Sequence, residues 1–324
     1  ETVAATRYEP VGTSGPQPAL LMYVPYHKDD WISYGAYDPS LTYLASRGYE
    51  VVVADMVGTG ASTGHIDEMF VGREGKEAAA IVEWLAGQPW TNGRIGMFGK
   101  SYGGFTALYG AAEAPDPLEA IVPIETPFEG YRNAFTNGGV FELATIGMHW
   151  LTLMQVLDVK PPSRRVGNWQ SVWQERLDSA REREPWLLQF LTHHAKDEYW
   201  RGKDIPVEDI TVPTLAIGGW RDPYTTDTLR YFRSLAGPKR LLMGPWRHTM
   251  PHRGHEVAID FREHMADWFD HFLRDKSTGV TNWPDVTVWT EGSGLVDGGK
   301  WDGLRTLPES TSARSEMEIE EYKL

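Results

Sequence analysis

Short apolar runs spaced by helix-length segments constrain this chain more than any other feature. The runs are "ALLMYV" (19–24), "EVVVAD" (50–55), "RIGMFG" (94–99), "EAIVPI" (119–124), "VPTLAIGG" (212–219) and "KRLLMG" (239–244). They show no regular polar alternation, so they read as strands buried on both faces. Residues 74–86, 225–236 and 258–274 place apolar side chains at helical spacing. Strand–helix alternation implies an α/β fold, with a doubly wound, mostly parallel sheet covered by helices on both faces.

One segment breaks the alternation. Residues 126–205 show helical patches, no clear strand, and the tryptophans Trp150, Trp169, Trp173, Trp186 and Trp200. They read as a helical cap inserted between two strands, with a loop at "DVKPPSRR" (158–165), where Pro161 and Pro162 stop a helix. The expected division is a discontinuous core (1–125 and 206–290), the cap (126–205) and a C-terminal extension (291–324). Most of the tryptophans should pack a small helical lobe. One or two should line a pocket, because ligand pockets have aromatic walls.

Composition removes several functions. A net charge of -14 and a pI of about 5.2 disfavour contact with phosphate backbones, so no nucleic-acid partner is expected. No apolar run reaches the roughly 20 residues that cross a bilayer, so no membrane partner is expected either. With Cys at 0, disulfides, thiolate metal sites and a cysteine nucleophile are all excluded. The chain begins at Glu1 with neither an initiator Met nor a signal-like segment, so its start carries no address. The expectation is a soluble protein, cytoplasmic rather than secreted. A homo-oligomer is compatible with the sequence and not required by it.

Gly99-Lys100-Ser101-Tyr102-Gly103 is a G-x-S-x-G pattern between an apolar run and a small-residue helix. In that context the turn must be sharp, and side chains flanking the serine would collide, hence glycine on either side. Gly104 permits close helix–strand packing. The corner lifts the Ser101 hydroxyl above the sheet edge and sets a helix N-terminus beneath any negative charge formed there. A serine hydroxyl needs a base, and the base needs an orienting acid. In this strand–turn–helix arrangement the acid and then the histidine follow on later strands. Asp222 comes just past "LAIGG", and His248 just past "RLLMG". Either alone could be a cap or a loop residue; the ordered set makes Ser101, Asp222 and His248 the candidate catalytic residues.

The stretches "VPYHKDDW", "GKSYGGF", "GGWRDPY" and "GPWRHTM" together resemble the cocaine esterase / X-Pro dipeptidyl-peptidase family of serine hydrolases, over about residues 6 to 290. The resemblance implies an α/β-hydrolase fold with an inserted helical cap, and acyl transfer from esters or amides through a serine acyl-enzyme. It implies no cofactor. It also implies that the Tyr26 hydroxyl holds the oxyanion together with the Tyr102 N–H. Trp220 and Trp246, beside the triad loops, are expected to wall the acyl pocket with Trp150 and Phe128. The favoured function is cleavage of small carboxylic esters or amides. One alternative is an aminopeptidase or amino-acid ester hydrolase, which needs an anchor for the substrate ammonium; Glu125 and Glu129 are candidates. The other is a non-catalytic scaffold for binding.

The pattern departs from the family in two places. Val57 stands where the family's loop after the strand carries arginine, which puts a buried ion pair in doubt. The sequence also stops at Leu324, where the family's C-terminal β-sandwich would begin; either the protein lacks that domain or it lies beyond the sequence given, and without it the resemblance implies a more open pocket. "HRGHE" (252–256) places imidazoles near a carboxylate, but its spacing matches no zincin pattern and no metal is expected there.

Overall fold

The computed structural model describes residues 1–136, 140–164, 166–251, 260–290 and 300–304. "HRGHE" and most of the C-terminal extension lie outside the described residues. The first half of the chain runs β1 (Ala5–Tyr8), β2 (Gln17–Val24), α1 (Trp31–Ser46), β3 (Glu50–Asp55), α2 (Arg73–Ala86), β4 (Thr91–Lys100), α3 (Tyr102–Ala112) and β5 (Leu118–Ile124). The segment expected to be a cap holds α4 (Gly130–Ala134), a small hairpin of β6 (Phe135–Thr136) and β7 (Val140–Phe141), a π-helix (Leu143–Leu151), α5 (Thr152–Val159), α6 (Trp169–Glu182) and α7 (Trp186–Thr192). The chain then returns through β8 (Thr214–Gly219), α8 (Thr225–Ser234), β9 (Lys239–Gly244), α9 (Phe261–Arg274), β10 (Val286–Thr290) and β11 (Lys300–Leu304).

A 9-stranded sheet is ordered β1-β3-β2-β4-β5-β8-β9-β10-β11. From β3 to β10 every neighbouring pair is parallel, and the edge strands β1 and β11 are antiparallel to β3 and β10. Each apolar run read as a strand overlaps one of these central strands, with Val212 and Pro213 just ahead of β8. Helices α2 and α3 pack together on β2 and β4, and α1 and α9 pack together against β3, β4 and β5. The sheet is thus doubly wound, and Leu20, Leu21, Val52, Ile95, Met97 and Val122 are buried between the layers. Among the described residues, no helix is long and apolar enough to cross a membrane.

Two local features escaped pattern reading. Helix α1 carries Pro39 in its interior, which masks it as a turn. The β6–β7 hairpin pairs Phe135 with Phe141, and its strands are too short for any periodicity to register.

Side-chain donors fasten the segment after β5 to the loop that follows β3. Arg176 of α6 is fully buried and donates to the main-chain carbonyls of Gly60 (2.8 Å) and Ser62. Arg183 bridges the Ile66 carbonyl and Asp158, and Trp186 Nε1 donates to the Asp67 carbonyl at 3.0 Å. Lys203 donates to Glu68 at 2.8 Å. This loop contains Val57, where a resident arginine was missing; a guanidinium reaches it from α6 instead. Asp55 at the loop's start is buried, accepts from the Ala61 and Lys28 N–H groups, and is pushed up to about 6 by burial, with those hydrogen bonds opposing. Replacing Arg176 by Leu should strand the carbonyls in a dry interior and cost about 2–4 kcal/mol, measured by urea unfolding. Arg176→Lys should restore less than half of that, because an ammonium lacks the planar fork. A fully stable Leu variant would show that the loop is held by its own turns.

Candidate active site

The parallel strands β4, β5, β8 and β9 are neighbours, so the residues just past their C-terminal ends meet. Ser101 follows β4, Glu125 follows β5, Asp222 lies beyond β8 and His248 beyond β9. Ser101 has φ 58° and ψ -121°, a conformation that ordinary side chains avoid. Its N–H donates to the Ile124 carbonyl at 2.9 Å, and its own carbonyl accepts from the Thr126 hydroxyl at 2.8 Å. A methyl group at Gly99 would lie 2.5 Å from the Gly103 backbone, and one at Gly104 would lie 2.8 Å from Thr126. Glycine is required where the turn brings these backbones together.

His248 Nε2 lies 3.1 Å from Ser101 Oγ, and Nδ1 lies 2.5 Å from Asp222 Oδ2. An ionised carboxylate only accepts, so Nδ1 carries the hydrogen and the Nε2 lone pair faces the serine. The other oxygen of Asp222 accepts from the Tyr224 N–H at 2.7 Å, which fixes the carboxylate plane. The histidine side chain is 33% exposed, so the serine–imidazole pair is approachable while the acid behind it is buried. Burial and the Lys100 ammonium hold the imidazole below its ordinary value, and the Asp222 hydrogen bond opposes them. Tyr224, which sequence reasoning missed, packs its ring edge-on to His248 at 5.3 Å. Its signal was its place two residues after the acid.

Tyr26 is buried beside the elbow. Its hydroxyl accepts from Trp150 Nε1 at 3.2 Å and also interacts with Ser101 and the Tyr102 N–H. Burial holds that hydroxyl above the ordinary phenol range, with these hydrogen bonds opposing, so it remains a donor at neutral pH. Trp150 stacks on Tyr102, with ring centres 5.8 Å apart. The remaining wall residues are more dispersed. Trp246 is 1% exposed and packs over Gly244, so it presents almost no surface to a ligand. Trp220 is partly exposed and donates to the Trp289 carbonyl at 2.7 Å. Phe128 is buried edge-on to Tyr231.

The two acids weighed as ammonium anchors are placed differently. Glu129 is engaged by Arg230 and lies 3.4 Å from Arg132. Glu125 is 0% exposed, 3.8 Å from Lys100 Nζ and 3.8 Å from His248 Nδ1. Donor atoms of Glu125, Asp222 and His248 lie within 4.8 Å of one another. The nearby Lys100 ammonium and the short His248–Asp222 hydrogen bond account for this grouping without a cation.

A family model of the X-Pro dipeptidyl-peptidase (S15 family) matches residues 2–250. The chain is 26% identical to a cocaine esterase of Rhodococcus sp. (strain MB1 Bresler) over 328 residues, covering 90% of this chain and 56% of that protein. It is 28% identical to a putative Xaa-Pro dipeptidyl-peptidase of Streptomyces avermitilis over 285 residues, covering 76% of this chain and 37% of that protein. The chain therefore spans about half, or less, of the length of these curated relatives. A crystal structure of a CocE/NonD family hydrolase from Staphylococcus aureus superposes with a TM-score of 0.77 at 19% identity, covering 95% of this chain and 54% of that one. That likeness establishes the α/β-hydrolase fold. The match over residues 2–250, with this fold beneath it, places the chain in the X-Pro dipeptidyl-peptidase (S15) family.

Proposed function

We propose that this protein is a serine hydrolase that cleaves carboxylic esters through an acyl-enzyme. The observation that carries the reading is the unbroken chain from Ser101 Oγ to His248 (3.1 Å) to Asp222 (2.5 Å) at the rim of the parallel sheet. Ser101 Oγ attacks the ester carbonyl as His248 Nε2 takes its proton. The carbonyl oxygen becomes an oxyanion, and the Tyr102 N–H and the Tyr26 hydroxyl donate to it. The C–O bond to the leaving group then breaks as the imidazolium returns the proton to the departing alkoxide. Water, deprotonated by the same imidazole, hydrolyses the acyl-serine. Asp222 keeps the tautomer and offsets the positive charge on the ring. Donors aimed at the oxyanion are worth about 3–4 kcal/mol each, because they strengthen as the charge forms.

Esters are favoured over amino-terminal peptides because, among the described residues, neither acid weighed as an anchor is free to meet an ammonium. Glu129 is engaged by Arg230, and Glu125 is sealed behind the imidazole. The insertion acts as the cap, with Trp150 as its contact to the oxyanion region, so it is the part expected to set acyl preference. A purely binding role is disfavoured, since a scaffold has no use for a strained serine in hydrogen-bond reach of a base.

Ser101→Ala should fold normally and lose at least about a thousandfold in kcat, and a fluorophosphonate should label Ser101 alone in the wild type. Labelling elsewhere, or retained turnover, would sink the assignment. Tyr26→Phe keeps the ring and deletes only the donor, so kcat should drop about 100-fold on an activated ester with KM nearly unchanged. Near wild-type kcat in a folded Phe variant would leave the oxyanion to backbone donors. The base must be neutral to take the proton, and burial and Lys100 lower its proton affinity. The acid limb of kcat/KM should therefore have its midpoint below the ordinary histidine value of 6.5. A midpoint above it, from a pH series at fixed ionic strength, would mean that Asp222 outweighs burial.

A further inference from the structure

The proposed reaction leaves Glu125 without a task, although no acid in the site is placed at greater cost. Its side chain is 0% exposed, and neither carboxyl oxygen has a hydrogen-bond partner. Its backbone is held at φ 44°, in the left-handed region, beside the strained Ser101. Buried polar groups are ordinarily paired, and an unpaired one beside a reacting centre calls for a physical account.

We propose that Glu125 is a second carboxyl partner of His248, a positioning residue that backs Asp222 and takes over the imidazole Nδ1–H when Asp222 is absent. This rests on the reading of Ser101, His248 and Asp222 given above. The sheet order supplies the geometry: β5 lies between the strand of the serine and the strand of the acid, so Glu125 rises between them. Its Oε2 lies 3.8 Å from the same Nδ1 that Asp222 engages at 2.5 Å. A side-chain movement of about 1 Å converts the longer distance into a hydrogen bond.

Charge accounting explains why Asp222 holds the bond. The titratable groups facing the cluster, among the described residues, are Lys100 at the end of β4, Asp222 and Tyr224 past β8, Asp227 and Tyr231 of α8, His149 of the π-helix, and Tyr26 past β2. Two carboxyls share a dry space with Lys100, and the charge of one disfavours charge on the other. Asp222 has donors in the Tyr224 N–H and His248, whereas Glu125 has none. Burial and the charge of Asp222 hold the Glu125 carboxyl well above the usual range, with Lys100 opposing. Removing Asp222 removes that repulsion and leaves Lys100 and the imidazole as the remaining attraction. Glu125 then releases its proton to solvent and accepts from Nδ1.

The test is kcat/KM for p-nitrophenyl acetate against pH in the wild type, Asp222→Ala, Glu125→Gln and the double variant. Asp222→Ala should retain at least about tenfold more activity than the double variant, while Glu125→Gln alone costs less than about fivefold. The activity of Asp222→Ala should rise with pH through an ionisation that the double variant lacks, a signature that a packing role would not produce. Equal profiles for Asp222→Ala and the double variant at every pH would overturn the proposal. If Glu125→Gln melts early, Lys100→Met with Glu125→Met removes both charges at similar volume, and the same comparison in the Asp222→Ala background decides. Fluorophosphonate labelling separates the two readings. Unlabelled Ser101 in the wild type would refute the serine mechanism, whereas a labelled Ser101 with equal variant profiles would refute only the role of Glu125.

Discussion

The positive φ of Ser101 is the constraint on which the rest of the site depends. A serine in that conformation is strained by about 1–3 kcal/mol, and it persists only because its surroundings leave no other path. Both of its backbone groups are tied to β5 and the loop beyond it, through Ile124 and Thr126. Helix α3 begins at the next residue and is buried along nearly its whole length, so it cannot rotate to relieve the turn. The glycines at 99, 103 and 104 are the consequence of this geometry. The strain therefore belongs to the sheet–helix packing and fixes where the hydroxyl points before any substrate arrives.

That fixed hydroxyl sits beside an unusual concentration of buried charge. Lys100, Glu125 and Asp222 all lie behind the imidazole, where water screens little. Each shifts its neighbours: Lys100 makes the imidazole a weaker base, Asp222 makes it a stronger one, and burial together with Asp222 raises the proton affinity of Glu125. A weaker base is neutral over more of the pH range but takes the serine proton less readily. The Asp222 hydrogen bond restores part of that drive, because it strengthens as the ring becomes positive. The position of Lys100 directly before Ser101 makes this balance part of the elbow itself.

Much of the fold was legible because its strands are buried on both faces. Such strands read as unbroken apolar runs, and "KRLLMG" matches β9 residue for residue. The triad was legible for a related reason: chain order and strand ends place Ser101, Asp222 and His248, and the strand order that brings them together follows from the winding rules. Neighbours of different sequence origin were not legible. Nothing in the sequence says that Trp150 reaches Tyr26, since their meeting depends on how the insertion folds back. Glu125 was visible as an acid after a strand, but its burial depends on Lys100 and His248 closing over it. Trp246 read as a pocket wall, yet Gly244 beside it admits the indole into the packing.

The loop after β3 shows how a missing residue can be supplied from elsewhere in the chain. Its main chain turns sharply through Gly58 and Gly60, both at positive φ, and so presents carbonyls that no sheet partner satisfies. A resident arginine would serve them locally, but Val57 cannot. Arg176 does so from α6, together with Arg183, Trp186 and Lys203 along the same loop. Their donors are directional, and several of them enter a dry interior, so the insertion is held in one orientation over the core rather than resting on apolar contact alone. Trp150 is carried on that same insertion and donates to the Tyr26 hydroxyl. The orientation of the proposed oxyanion donor is thus coupled, through the insertion, to the Arg176 guanidinium. The hold of Arg176 on this loop thereby ties the geometry of the rim around Ser101 to the folding of the segment above it.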